Sequence, residues 1–206
     1  MPELYVVGAG GHAKVVADAA ALVGRWRTIT LLDRCSAPYQ VGPWPVLPEE
    51  RVSQREGGHH GDFIVGVGDN ALRLRLHQRF VALGLRAVTV VHPAATVSPW
   101  ARLGAGSFVA ARAVVQVDAL VGEAVVVNTA AVVEHDCQLA DGVQIAPGAV
   151  LGGGVEVGAR SLVGMHAVVK MVVRIGADVT VGMGAVVLHG VGDGARVVGV
   201  PARLLG

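Results

Sequence analysis

From Val91 to Gly192 an aliphatic residue returns at every sixth position, seventeen times in succession and without a slip in register. The hexads begin VHPAAT, VSPWAR, LGAGSF and VAARAV, and end IGADVT, VGMGAV and VLHGVG. The first residue of each is Val, Leu or Ile, and the fifth is Ala, Ser, Cys or Val. A β-sandwich would show period two, and an amphipathic helix period 3.6. Period six points to a short strand with one large inward residue, a small inward residue beside it, and a corner. Gly, Asp and Asn gather at the second to fourth positions, where a sharp corner needs permissive backbone angles. Three faces close a triangular coil, and stacked coils pair as parallel strands about 4.8 Å apart. Aromatic residues make up only 4% of the chain against 52% hydrophobic, which suits thin layers of Val and Ala.

Residues 1–90 lack the hexad. Leu4–Val7 is an apolar strand that runs into Gly8-Ala9-Gly10-Gly11-His12 and then into the helical stretch AKVVADAAALV. A second strand, Thr28 to Leu32, ends at Asp33, and a third, Phe63 to Val67, ends at Gly68-Asp69-Asn70. A basic helix follows from Ala71 to about Leu83, on which His77 is expected to be exposed. This βαβ…βα order implies a small parallel sheet, Rossmann-like in kind. Ligands of such sheets bind at the carboxyl ends of the strands, where Gly10, Gly11, Asp33 and Gly68 lie. The glycines allow backbone N–H groups to approach a phosphate, and Asp33 can accept from a ribose or sugar. GAGGH is an incomplete dinucleotide fingerprint, and about 90 residues are too few for a full six-stranded dinucleotide fold.

The net charge of +1 gives no nucleic-acid footprint. No run of eighteen apolar residues and no leader pattern is evident, so neither membrane insertion nor export is expected. Cys35 and Cys137 are expected to be reduced thiols of a cytoplasmic protein. Of the eight histidines, His59 and His60 fall in a polar loop, REGGHHGD, and His92 and His189 near the two ends of the repeat.

The hexads from Val91 onward resemble the left-handed parallel β-helix of the hexapeptide-repeat acyltransferases. The closing VVGVPARLLG resembles their tail, with Pro201 ending β-pairing and the tail capping the open edge. A VxGAGGHAKVV start ahead of hexads resembles the sugar acetyltransferases that modify nucleotide-linked amino sugars or sialic acid. That resemblance implies a nucleotide-sugar domain over 1–90, an acetyltransferase β-helix over 91–206, a homotrimer, and acetyl-CoA as cosubstrate with no metal. It implies that His135, in Val133-Glu134-His135-Asp136-Cys137, is the general base. Asp136 is its acidic partner, with Glu134 as the rival that spacing does not exclude. One coil on stands Gly153, whose N–H would meet the developing oxyanion. Gln144, Met165 and Met183 match coenzyme-contacting positions, with Gln144 standing where some relatives have a second histidine; His166 is a further polar contact. With the nucleotide-sugar held by the front domain, Gly10, Gly11, His12, Asp33, Arg34 and Gly68, at or beside its strand ends, are the expected substrate-binding residues.

Three functions compete: N-acetylation of a 4-amino sugar, O-acetylation of a sugar hydroxyl including sialic acid, and sugar-nucleotide binding without catalysis. A zinc enzyme on the same scaffold would need three histidines at one site. His135, His166 and His189 are separated by 31 and 23 residues, neither a multiple of 18, so they are not expected to share an edge.

Overall fold

The computed structural model describes residues 2–53 and 61–205; the loop residues His59 and His60 lie outside the described residues. Six strands, β1 (Glu3–Val7), β2 (Thr28–Asp33), β3 (Tyr39–Val41), β4 (Trp44–Pro48), β5 (Asp62–Val65) and β6 (Arg86–Ala87), form a sheet in the order β3-β4-β2-β1-β5-β6. All neighbours are parallel except β3, which pairs antiparallel with β4. β1 and β5 are apolar on both faces because both faces are covered. Leu4, Val6 and Ile64 pack under α1 (Gly11–Val23). After β4 comes one helical turn, α2 (Glu50–Ser53). Tyr5, Val7 and Phe63 pack under α3 (Asn70–Ala82) through Leu76 and Phe80.

The second unit is a parallel β-helix. Its pairing register advances by 18 residues per coil on each of three long faces. On the first face Val90 pairs with Phe108, then Val126, Gln144, Leu162 and Thr180. On the second, Thr96 pairs with Val114, then Val132, Val150, Val168 and Val186. On the third, Arg102 pairs with Leu120, then Gln138, Glu156 and Arg174. The first-position aliphatics from Val109 to Val187 all enter one buried core, with Val91, Val97 and Leu103 packed against its end. Their strand neighbours therefore point outward. The corner strain is localised at the fourth hexad position: Arg112, Asp118, Ala124, Ala130, Asp136, Arg160, His166, Val172 and Asp178 all have φ between +51° and +61°. Gly142, Gly148, Gly154 and Gly184 fill the same position in other hexads with φ near +68°.

The tail departs from expectation. Pairing resumes just past Pro201: Arg203–Leu204 folds back antiparallel on Arg196–Val198 and becomes the edge of the first face. Ala202 N–H donates to Val186 O at 2.8 Å, which ties the turn to the last coil.

The outward residues explain how the two units meet. Val90, Phe108 and Val126 are buried against α1, whose inner residues are the small Ala13, Val16, Ala17 and Ala20. α3 lies along the corner between the third and first faces. Asn70 Nδ2 donates to Arg160 O at 2.9 Å and Ser161 O at 3.1 Å. Arg73 is 1% exposed. It donates to Ala124 O, Val67 O, Gly68 O, Gly142 O and Asn70 Oδ1 at 2.8–3.2 Å, so carbonyls of both units surround it. Burial lowers its pKa to about 10.

His77 corrects the expectation of an exposed side chain. It is 1% exposed, packs on Phe63, and its Nε2 lies 3.1 Å from Glu123 Oε2. A helix squeezed between a sheet and a prism has no solvent face at that position, whatever the charge of its neighbours.

Arg73→Met is expected to destabilise the protein by about 3 kcal/mol or more, because it leaves several buried carbonyls without a donor. The thermal midpoint is then expected to fall by roughly 6 °C or more. An unchanged midpoint would mean that the guanidinium contributes nothing to docking.

Candidate active site

The second corner of the prism, between the second and third faces, brings three of the expected residues together. His135 is the third residue of its hexad and follows the strand Val132–Val133. Asp136 takes the left-handed fourth position at φ +60°, which Asp tolerates better than most residues. That turn aims its carboxylate back at the ring: His135 Nδ1 and Asp136 Oδ2 are 2.7 Å apart. With Nδ1–H donating to Asp136, the lone pair resides on Nε2. The hydrogen bond to Asp136 raises the His135 pKa above its ordinary value, with its charge and that of Glu134 adding to the effect. Glu134 makes no hydrogen bond to the ring, so the geometry favours Asp136 over its rival.

Gly153 stands one coil on. A Cβ there would lie 2.5 Å from His135 Cε1 and 2.6 Å from Nε2, so the imidazole lies over the glycine. The N–H groups of Gly152 and Gly154 donate to Val169 O and His135 O at 2.9 Å each. Among the described residues no backbone oxygen takes the Gly153 N–H. The corner therefore combines a proton acceptor, its orienting carboxylate and one open N–H donor. That set suits proton removal from a nucleophile and stabilisation of an oxyanion.

The first corner, between the first and second faces, holds Met165 and Met183. They stack one coil apart, 44% and 71% exposed. His166 takes the left-handed position beside them at φ +55°, with its ring over Gly148. Gln144 points outward from the first face. It is nine residues from His135, half a coil, and so lies on the opposite side of the prism from it. Within one chain, the expected base and the expected coenzyme contacts are apart. His189 also needs correction. It is 54 residues from His135, three whole coils, and shares the second corner with it. His166 belongs to the first corner, and among the described residues no three metal-ligating side chains converge.

In the N-terminal unit the expected positions divide among four places. Asp33 and Arg34 border a cleft of about 150 Å³ at the strand ends, with Gly8, Glu49 and Val67. Asp33 accepts from Arg34 N–H at 2.8 Å and Tyr39 O–H at 3.0 Å, and Arg34 Nε reaches Glu49 Oε1 at 3.3 Å. Gly10 and Gly11 stand exposed at the start of α1, and a side chain on either would meet nothing within 4 Å. His12 turns toward the domain junction, edge-on to Phe108, with Nε2 buried and unpartnered among the described residues. Burial first, and the charge of Arg73 second, lower its pKa to about 4, which keeps it neutral.

Gly68 opens on a cavity of about 260 Å³ between the units, shared with Gln144, Thr180 and the Arg160–Asp178 pair. That bidentate pair, at 2.8 and 2.6 Å, escaped the sequence reading. Its signal was present: opposite charges 18 residues apart stack on one corner of a prism of this period. The two cysteines are free, and Cys137 is buried with its thiol pKa raised by burial. No helix among the described residues is long and apolar enough to cross a membrane.

Known proteins share this fold. Residues 3–80 match the PglD N-terminal domain family. Over 116 residues the chain is 35% identical to UDP-N-acetylbacillosamine N-acetyltransferase of Bacillus subtilis; the match spans 54% of this chain and 52% of that protein. The acetyltransferase domain of PglB from Neisseria gonorrhoeae, solved with acetyl coenzyme A, superposes with a TM-score of 0.94 at 40% identity, covering 98% of both chains. PerB from Caulobacter crescentus, solved with CoA and GDP-perosamine, gives 0.91 at 36% identity, covering 100% of this chain and 98% of that one.

Proposed function

The chain belongs to the hexapeptide-repeat N-acetyltransferases of nucleotide-linked amino sugars, of the bacillosamine and perosamine type, and on that premise we propose that it acetylates the 4-amino group of a nucleotide-linked deoxy sugar. The observation that carries the reading is the His135 ring, held by Asp136 through Nδ1 and lying over the Cα of Gly153, where no side chain stands. His135 Nε2 takes the proton from the sugar amine as its nitrogen attacks the thioester carbonyl of acetyl-CoA. The Gly153 N–H faces the oxygen on which charge develops. A C–N bond forms, the C–S bond breaks, and the proton held by His135 passes to the departing thiolate.

The working unit in this reading is a homotrimer. The second face presents Val114, Val132, Val150, Val168 and Val186 outward, Val168 exposed and the other four half-buried. Turned to a three-fold axis, it sets the His135 corner of one subunit against the Met165 and Met183 corner of the next. The coenzyme lies in that groove, which reconciles the separation of His135 from Met165, Met183 and Gln144 within a single chain. The third face, with Arg102, Gln138, Glu156 and Arg174, stays in water.

The test is release of CoA thiol from acetyl-CoA with UDP- and GDP-linked 4-amino-4,6-dideoxy sugars. Turnover with an alkali-stable amide product is expected; thiol release that depends on none of the amines would reject the reading.

The division of labour gives a second expectation. Asp33→Ala and Gly11→Val are each expected to weaken nucleotide-sugar binding by roughly tenfold or more, with acetyl-CoA affinity little changed. Gly11 has room for a side chain, so its substitution blocks the ligand and spares the fold. Calorimetry with the two ligands separately checks this; loss of acetyl-CoA with retention of the sugar would reverse the domain assignment.

A further inference from the structure

Glu49 is a buried carboxylate, 7% exposed, that the acetyl-transfer chemistry leaves unused. It follows β4, and its N–H donates to Asp33 O at 3.0 Å, which sets it beside the end of β2. Two guanidinium groups reach it, Arg34 Nε at 3.3 Å and Arg79 Nη1 at 3.1 Å, and both bind the same oxygen, Oε1. Among the described residues no donor meets Oε2. Asp62, buried in the same sheet, shows the ordinary arrangement: Arg86 Nε takes Oδ1 and Trp26 Nε1 takes Oδ2, each at 2.7 Å. A buried acceptor left open is costly, so the free oxygen of Glu49 points to a ligand that fills it.

Glu49 borders the cleft of about 150 Å³ at the strand ends, and Leu32, Val67, Leu72 and Leu76 give that cleft apolar walls. Arg34 stands on the same rim. Its Nε is engaged by Glu49, and among the described residues its Nη groups meet no acceptor. The cleft thus joins apolar walls to one acceptor oxygen with N–H donors beside it. Apolar walls suit the faces of a planar ring, and the polar pair suits a ring edge that carries one N–H next to a carbonyl. A protein reads a nucleobase in this way, by its pairing edge and its faces. The position, outside the carboxyl ends of parallel strands, is where a nucleotide settles on such a sheet.

The bases differ at that edge. Uracil and thymine present a single ring N–H flanked by carbonyls. Cytosine and adenine carry a lone pair on the corresponding nitrogen, which would face the lone pairs of the carboxylate. Guanine presents a ring N–H and an amino group together and asks for two acceptor oxygens, but Oε1 is already held by two guanidinium groups. We propose that Glu49 reads the nucleobase of the substrate, and that the base is a pyrimidine imide, uracil or its methylated form thymine. The imide N–H donates to Glu49 Oε2, and a flanking carbonyl accepts from Arg34 Nη. The inference rests on the nucleotide-sugar reading above, which leaves the base open.

The experiment is calorimetry of the wild type and of Glu49→Gln with UDP, dTDP, CDP, GDP and 3-methyl-UDP, in which a methyl group replaces the imide hydrogen. The wild type is expected to bind UDP or dTDP roughly tenfold or more tighter than CDP and GDP, and 3-methyl-UDP roughly tenfold or more weakly than UDP. The tighter of UDP and dTDP names the base. The amide of Glu49→Gln can turn an N–H toward the ring, so UDP is expected to weaken by roughly tenfold and CDP to gain on it, with acetyl-CoA affinity unchanged. A loss of packing alone would not move the ratio of UDP to CDP. Binding of CDP, GDP or 3-methyl-UDP as tightly as UDP overturns the assignment, and so does an unchanged ratio in a folded Glu49→Gln protein. If that variant loses its thermal transition, the wild-type series decides alone. Failure of all five to bind would instead reject the nucleotide-sugar reading, and the base assignment with it.

Discussion

His135→Ala is expected to lower kcat/KM by roughly 10²-fold or more while the fold is retained. The ring is exposed and lies over Gly153, so its removal opens no cavity in the prism. What disappears is the group proposed to take the amine proton. The same site predicts a pH dependence. As the proposed base His135 would work as the neutral imidazole, and its hydrogen bond to Asp136 raises its pKa. Activity therefore rises with pH along a limb displaced to the alkaline side of the ordinary histidine value of about 6.5. Asp136→Asn removes the carboxylate, so the limb is expected to move to lower pH while the limiting rate falls. Steady-state rates from pH 5 to 9 check both variants. Full activity in a correctly folded His135→Ala protein would remove this residue as base, and an unmoved limb in Asp136→Asn would remove Asp136 as its partner.

Val150→Glu is expected to abolish the proposed trimer and, with it, activity. Val150 points outward from the middle of the second face, between Val132 and Val168, while its neighbour Leu151 fills the core. A charge there leaves each coil able to form. Around a three-fold axis it brings three carboxylates together on an apolar face, which is destabilising both by repulsion and by desolvation. Light scattering is expected to fall from three times the 21.1 kDa chain mass to the chain mass itself. An active monomer would defeat the shared site, and a persistent trimer would show that another face makes the contact.

The hexads made most of this architecture readable in advance, because one inward aliphatic per six residues leaves a single way to close the chain. The corner residues were readable for the same reason: His135 and Gly153 are 18 apart, and that number is the coil. Elsewhere the local signal was weak or misleading. β3 and β4 went unseen because Gly42, Pro43, Pro45 and Pro48 read as breakers, whereas β4 carries its prolines close to the edge of the sheet. His77 reads as exposed on a basic helix, and only tertiary packing shows that α3 is covered on both sides. His189 was misjudged through intervals taken pairwise with His166 between; the interval to His135 itself is three coils. The valines of the second face look like core in the sequence, although they point outward. Nothing local distinguishes a core valine from an outward one.

The seating of α3 on the third corner works as a vernier between two different rulers. From Asn70 to His77 the helix advances about 10.5 Å. Their corner partners, Arg160 and Glu123, are two coils apart to within a residue, or about 9.6 Å. Over this span the scales disagree by roughly 1 Å, which side chains absorb. Over twice the span the mismatch would double, and a rigid helix could no longer meet a carbonyl at every coil. The length of the docking helix is therefore bounded by the difference between an α-turn and a β-coil. Coils beyond Ser161 are free of this bound, so the prism can lengthen toward its C-terminal end without disturbing the seat of the N-terminal unit, and cannot gain a coil between Glu123 and Arg160 without unseating one end of α3.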